Sequence, residues 1–311
     1  MFVSQYDEMY EKAIQKFKDY QGNNPIDYKL VKDAFKKRKT DAYKNSCGSL
    51  LVCAGSTGMT GAATLACTSA LRSGCGLVTL CCAKELNTIF EIKLTEAMTV
   101  PVESNNGVIS AKAFGEISKR LSKCDALLFG PGMTSDSEVK KLLEEIIYSS
   151  QKPCVIDADG LNVLSHNPAV LKSAKYPPVL TPHIGEFARL TGLKKNYILN
   201  NLHDTSREFA AKYGVILVLK SHRTIVTDGK TVYENVLGNP GMSSGGSGDV
   251  LAGIISGFLA QGNNALLSAL AGVYIHSLAA DMAVMETGEY SLLPSDIINY
   301  EIQAIRISTQ K

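Results

Sequence analysis

No charge of one sign dominates this chain: 32 Lys and Arg stand against 30 Asp and Glu over 311 residues, a net charge of +2 at pH 7. That balance supplies no field of the kind that marks nucleic acid as a partner. The one local basic cluster, Lys36-Lys37-Arg38-Lys39, reads as a solvated face. Also missing is any continuous apolar stretch near the ~20 residues that cross a bilayer. The opening segment MFVSQYDEMYEKAIQKFKDY is mixed in charge and lacks an apolar signal core, so no membrane is expected and the cytoplasm is. Eight cysteines are present, Cys47, Cys53, Cys67, Cys75, Cys81, Cys82, Cys124 and Cys154, none with zinc-knuckle spacing. Most lie inside apolar runs such as LLVCAG and LVTLCC, as buried thiols of a reducing compartment do. No Walker A sequence occurs, which argues against a P-loop NTPase. No low-complexity linker or fixed-period repeat divides the chain.

What is present is a rhythm of strand, glycine turn and helix. Residues 1–35 are charged and helix-prone, with Tyr6, Met9, Tyr10, Ile14 and Phe17 at helical spacing, and form an expected amphipathic extension. From residue 36 to 311 one domain is expected. Its short apolar runs are Leu50–Ala54, Leu77–Cys82, Ala126–Phe129, Cys154–Ile156, Val179–Leu180 and Val215–Leu219. Continuous runs of this length are how strands buried on both faces of a parallel sheet read. Helical stretches separate them, including Ala62–Arg72, Ser137–Tyr148 and Thr205–Tyr213. The alternation predicts a three-layer α/β/α fold with a mostly parallel central sheet. Residues Thr224–Tyr233 read as a hairpin around Asp228-Gly229. Helices are expected over Asp249–Ala260, Ala265–Val284 and Pro294–Ile307.

The most informative segment is Asn239-Pro-Gly-Met-Ser-Ser-Gly-Gly-Ser-Gly-Asp249 followed by the apolar run Val250–Ile255. Its glycines free the backbone to aim several N–H groups at one place. A helix N-terminus adds unpaired amides and partial positive charge, which makes an anion site. Asp249 at that helix start is either an ordinary N-cap or a base that takes a proton from a hydroxyl as it attacks a phosphoryl group; one carboxylate can do both. Gly55-x-x-Gly58-x-x-Gly61 invites a dinucleotide-binding reading, but the spacing differs from G-x-G-x-x-G and no acid ends the next strand. It is read as a ligand-contacting turn of another type. Three more loops follow strands: Gly130-Pro-Gly132, Asp157-Ala-Asp-Gly-Leu-Asn162 and Thr181-Pro-His-Ile-Gly-Glu186. Lys220 also follows a strand, and ligands of open α/β sheets bind beyond such carboxyl ends. His183 alone would read as a helix cap or a satisfied interior histidine.

Taken in order, Lys37-Arg-Lys39, Ala54–Ala63, Gly130–Gly132, Asp157–Asn162, Thr181–Glu186 and Gly245–Leu251 resemble the NAD(P)H-hydrate dehydratase family within the ribokinase-like fold. The resemblance runs from about Lys36 to the C-terminus. It implies ADP- or ATP-dependent phosphorylation of the ring hydroxyl of hydrated NADH or NADPH, loss of phosphate and return of NAD(P)H. By position it implies Asp249 as base at that hydroxyl, with Ala62, Gly132, His183, Asn162 and Glu186 lining the hydrated nicotinamide nucleotide. Lys220, Ser221, His222, Arg223 and Thr224, with Gly246, Ser247 and Gly248, are implied to hold the nucleotide, Mg²⁺ is implied with it, and a homo-oligomer, a tetramer first, is implied as the assembly. Ser247 stands where threonine is usual, Gly160 where alanine is, and Met133-Thr134 where a further glycine is common. The epimerase often fused upstream is not found before Lys36, so a single substrate epimer is expected. The rival readings are a vitamin-precursor kinase of the same fold, a non-catalytic nucleotide sensor and an NAD-dependent oxidoreductase.

Overall fold

Apolar runs that bury both faces set the frame. Along the computed structural model, which describes residues 5–310, the elements run α1 (Gln5–Ile14), α2 (Tyr28–Val31), β1 (Ser49–Cys53), α3 (Thr60–Arg72), β2 (Leu77–Ala83), α4 (Asn87–Lys93), β3 (Met98–Val102), β4 (Ser104–Asn105), β5 (Val108–Ile109), α5 (Phe114–Leu121), β6 (Ala126–Phe129) and α6 (Ser137–Ser149). They continue with β7 (Cys154–Ile156), α7 (Asp159–Leu164), β8 (Val179–Leu180), α8 (Ile184–Thr191), α9 (Lys195–Asn200), α10 (Leu202–Tyr213), β9 (Ile216–Leu219), β10 (Ile225–Thr227), β11 (Val232–Glu234), α11 (Ser247–Ala260), α12 (Ala265–Ser291) and α13 (Pro294–Gln310). Nine strands form one sheet in the order β11-β10-β9-β8-β7-β6-β1-β2-β3. From β3 to β9 every neighbour is parallel, and β10 and β11 return antiparallel at one edge. The expected α/β architecture and the Asp228-Gly229 hairpin are both present.

Every residue of β6 and β9 is buried, and Leu51, Val52 and Phe129 are closed off from solvent. Each such side chain contributes about 1.5–3 kcal/mol. Helix α11 packs on α3, and α12 on α11 and α13. The α3–α11 approach is close because of Gly253: a Cβ there would run into Ser69 Oγ and the Ala66 carbonyl. The small residue lets α11 lie flat on α3 and so fixes where its N-terminus points.

Three sequence readings change. Helix α11 starts at Ser247 with Gly246 as N-cap in the left-handed region (φ +102°), so Asp249 is a first-turn residue and not the cap. The predicted helix 265–284 continues to Ser291 through a kink at Gly288, φ +69°. By length and composition this is the one helix among the described residues that could cross a membrane, with a mean hydropathy of 1.4, although 89% of its apolar window is buried in the protein. Its polar residues Ser268, His276, Ser277 and Asp281 hid it from a search for unbroken apolar runs. Within the stretch 1–35, α1 packs on α12 and α13; residues 1–4 lie outside the described residues.

Helix α13 carries a fully buried carboxyl. Glu301 accepts from Ser73 Oγ at 2.8 Å, its second oxygen is unpartnered, and burial raises its pKa well above the ordinary 4.5. The unfolded chain ionises this group near that ordinary value while the folded chain keeps it protonated. Its contribution is therefore fully present below pH 4.5 and is lost as pH climbs toward the folded pKa. Glu301→Gln cannot ionise. Its melting temperature is expected to match wild type near pH 4.5 and to exceed it by roughly 2–4 °C at pH 8; an equal difference at both pH values would refute the assignment.

Candidate active site

The carboxyl ends of β1, β6, β7, β8 and β9 lie side by side, and their loops are tied together. Gly55 N–H donates to Pro131 O at 2.8 Å and Gly130 N–H to Cys53 O at 3.1 Å. Gly130 has φ +124°, and a Cβ there would strike the Asp157 carbonyl, so only glycine allows the β6 and β7 loops to meet. Between Asp157 and Asp159, Ala158 is held at φ +51°, a region an alanine rarely adopts. That turn sends the two aspartates to different partners. Asp157 accepts from Lys220 Nζ at 2.9 Å and from Thr181 Oγ1 at 2.7 Å. Asp159 accepts from Asn162 Nδ2 at 3.0 Å and from Thr134 N–H at 2.8 Å. The latter bond holds Thr134 at φ +69°, the left-handed conformation that a glycine would take without strain.

A cavity of about 650 Å³ opens at this edge, the size of an ordinary small-molecule site. Its lining includes Asp157, His183, Lys220, Gly246, Gly248 and Asp249. Lys220 Nζ lies 3.1 Å from where a Cβ of Gly248 would stand, so the ammonium sits against the start of α11. Helix geometry leaves the first-turn amides of α11 without partners in the helix, and its dipole makes this end attractive to anions. Asp249 is pushed up to about 7, first by burial and then by the Asp157 charge, with Lys220 opposing both. Lys220 stays protonated: Asp157 and Glu186 outweigh the burial that would discharge it. Glu186 is raised to about 6 by burial.

His183 is the N-cap of α8. Its Nδ1 accepts from the N–H groups of Gly185 at 2.8 Å and Glu186 at 3.3 Å, and Glu186 accepts from His183 N–H at 2.8 Å. Burial and Lys220 lower its pKa, so the ring stays neutral with the proton on Nε2. The bland expectation of a capping histidine is thus correct as local structure, and the same ring lines the cavity. Ala62 and Gly132 also meet, the Ala62 Cβ lying 3.1 Å from where a Cβ of Gly132 (φ +63°) would stand. Asn162 is brought elsewhere: its Oδ1 accepts from Arg189 Nε and Nη2 at 3.1 and 2.8 Å. Ser221, His222 and Thr224 line the cavity, whereas Arg223 turns outward over the Tyr20 ring at 5.5 Å.

Against known proteins, the family model described as NAD(P)H-hydrate dehydratase matches residues 50–303. This chain belongs to the NAD(P)H-hydrate dehydratase family. It is 38% identical over 267 residues to the bifunctional NAD(P)H-hydrate repair enzyme of Moorella thermoacetica, a match covering 85% of this chain and 50% of that protein. The chain thus spans about half the length of the first curated relatives it matches. It is 32% identical to the ADP-dependent (S)-NAD(P)H-hydrate dehydratase of Lactiplantibacillus plantarum, covering 88% of this chain and 93% of that one. Among solved structures, the ADP/ATP-dependent NAD(P)H-hydrate dehydratase of Bacillus subtilis co-crystallized with ATP and Mg²⁺ superposes with a TM-score of 0.79 at 25% identity, covering 92% and 99% of the two chains. The fold is therefore ribokinase-like, as the motif order implied.

The same cavity contains residues outside the expected site set. His276, buried in α12, has its Nε2 3.3 Å from Ser247 Oγ and is lowered to about 4, mainly by burial. Asn235, Asn239 and Ser277 line the same space. The only sequence signal for His276 and Ser277 is a polar pair inside the apolar run VYIHSLAA, which by itself says nothing of direction. A second, larger cavity of about 900 Å³ lies at the opposite sheet edge, lined by residues just before strands such as Gly48, Asp125, Pro153 and Val215, and by none of the expected site residues. Six of the eight cysteines are buried and Cys47 and Cys154 half-buried; burial pushes Cys82 up to about 12, and such thiols are poor nucleophiles. Lys220 is the cation that holds Asp249 down. Carboxyl ¹³C chemical shifts of wild type should show Asp249 titrating near pH 7; in Lys220→Met the midpoint moves higher, and an unchanged midpoint would show that the two groups do not interact.

Proposed function

We propose that this protein restores NADH or NADPH from its hydrated form in a nucleotide-dependent dehydration, a hydro-lyase reaction of metabolite repair. The observation that carries the reading is Asp249: a carboxyl raised to about 7 on the first turn of α11, in one cavity with Lys220 and the glycine-rich loop. A base poised near neutrality suits proton transfer at physiological pH. Asp249 takes the proton of the ring hydroxyl as that oxygen attacks the terminal phosphorus, and AMP or ADP leaves, according to whether ADP or ATP is the donor. The amides of Gly246 and Gly248 stabilise charge on the transferring group, at roughly 2.7–4 kcal/mol per well-placed donor. In the second step the C–O bond breaks, phosphate carries off the electron pair, the neighbouring carbon gives up a proton and the double bond returns. Hydroxide leaves poorly; phosphate leaves well.

Ala62, Gly132, His183 and Glu186 are assigned to the hydrated nicotinamide nucleotide, and Lys220, Ser221, His222 and Thr224 with Gly246 to Gly248 to ADP or ATP; Asn162, held by Arg189, and Arg223, stacked on Tyr20, are left out of the assignment. Among the described residues no group of three or more His, Cys, Asp or Glu side chains could cage a metal. Mg²⁺ held through one or two carboxylates and the nucleotide's own phosphates fits that donor set, with Asp157 the carboxylate that would hold it and Asp249 left as the base; when bound it would neutralise phosphate charge. The free thiols suit a cytoplasmic location, and a homo-oligomer, a tetramer first, is carried over from the family.

Incubation with hydrated NADH and ADP or ATP should regenerate NADH absorbance. Asp249→Asn should lose roughly 10²–10⁴ in kcat while keeping its melting temperature. Wild-type turnover in that variant would remove the mechanism.

A further inference from the structure

The N-terminal extension precedes the family match, which begins at residue 50, yet it reaches two loops of the nucleotide cavity. Lys16 Nζ donates to Asp281 Oδ2 and to the Gly238 carbonyl, each at 2.7 Å. Asp281 is 2% exposed, and both its oxygens are spent on the same loop: Oδ2 accepts from Gly238 N–H at 2.8 Å and Oδ1 from Asn239 Nδ2 at 3.0 Å. Gly238 and Asn239 line the cavity and lead directly into the glycine-rich segment. Four residues on, Tyr20 OH donates to Glu234 Oε2 at 2.6 Å, and the Tyr20 ring lies under the Arg223 guanidinium. Arg223 sits between His222 and Thr224, which line the same cavity. His203 also bonds Glu234, and residues 24–26 pair with the β11 backbone, Ile26 N–H donating to Glu234 O at 2.9 Å.

We propose that Lys16 and Tyr20 are positioning residues that brace the two rims of the nucleotide pocket and thereby set its affinity for ADP or ATP. The ammonium of Lys16 neutralises a buried carboxylate whose remaining hydrogen bonds fix the backbone at Gly238-Asn239. Without it, the Asp281 carboxyl stands in a dry site with one partner fewer, a situation relieved by letting water in and the loop move. Tyr20 holds the 221–224 loop through its ring contact with Arg223, itself fixed by the bond to Glu234.

The inference rests on the reading of this cavity as the nucleotide site, and the two are separable by experiment. ADP with Mg²⁺ is titrated by calorimetry into wild type, Lys16→Met, Lys16→Arg and Tyr20→Phe, and KM and kcat are measured for ADP, ATP and hydrated NADH. Lys16 is part-exposed, so Lys16→Met should fold; a melting curve checks this, and Tyr20→Phe is a second, milder probe. The expected result is an increase of about 5-fold in the Kd and KM for the nucleotide in Lys16→Met, recovered largely by Lys16→Arg, a smaller increase in Tyr20→Phe, and an unchanged kcat and KM for hydrated NADH. Nucleotide affinity equal to wild type in both Lys16→Met and Tyr20→Phe would overturn the brace, as would a lowered melting temperature with unaltered affinity. Failure of wild type to bind either nucleotide would instead overturn the site reading itself.

Discussion

A buried ammonium makes this site possible. Lys220 is bonded to Asp157 and faces Glu186 and Asp249, so three carboxyls share one dry space around one cation. Coulomb repulsion among three unpaired carboxylates would be prohibitive there. With the cation present, the acids divide their roles by environment. Asp157, fully buried and hydrogen bonded, serves as the counter-charge. Glu186 completes the cap of α8. Asp249, held only at a distance, is left with its affinity for protons near neutrality, the property a base for a hydroxyl requires.

The rest of the fold delivers these groups to one edge. Parallel strands end together, so each βα loop opens on the same side, and the close packing of α11 on α3 at Gly253 sets the height of the amide cradle above the sheet. Of the four non-glycine residues at positive φ among the described residues, Ala158 and Thr134 lie where loops turn toward that edge, and each of these turns is fixed by hydrogen bonds from its neighbours. Such strain persists only where the surroundings over-determine the backbone. That these turns surround the Asp157–Asp159 pair, and not the far edge with the larger cavity, is consistent with a site pre-organised before any ligand arrives.

Much of this was legible from residue order. Unbroken apolar runs such as Cys154–Ile156 gave away buried strands because a parallel sheet covers both faces, and the Asp228-Gly229 hairpin followed from turn chemistry. The helical extension was visible in the spacing of Tyr6, Met9 and Tyr10. Edge strand β3 was not: Met98-Thr-Val-Pro-Val carries a proline and is only partly buried. His276 was invisible as a site residue because a polar side chain within an apolar helix has no readable direction until the helix is packed. The same holds for Arg223, implied by the resemblance to hold the nucleotide, while the aromatic ring of Tyr20 draws it outward.

The sequence by itself determined the alternation of strands and helices, the glycine-rich loops that must follow the strands, and the carboxylate at the start of α11, because these depend on local backbone freedom and on periodicity. Only the tertiary structure decided that Asp249 lies inside the first turn and not at the cap, that its proton affinity is raised, and that a lysine from the extension reaches the rim of the same cavity. Those properties come from burial and from charges brought together across hundreds of residues, and neither is written in any local stretch of chain.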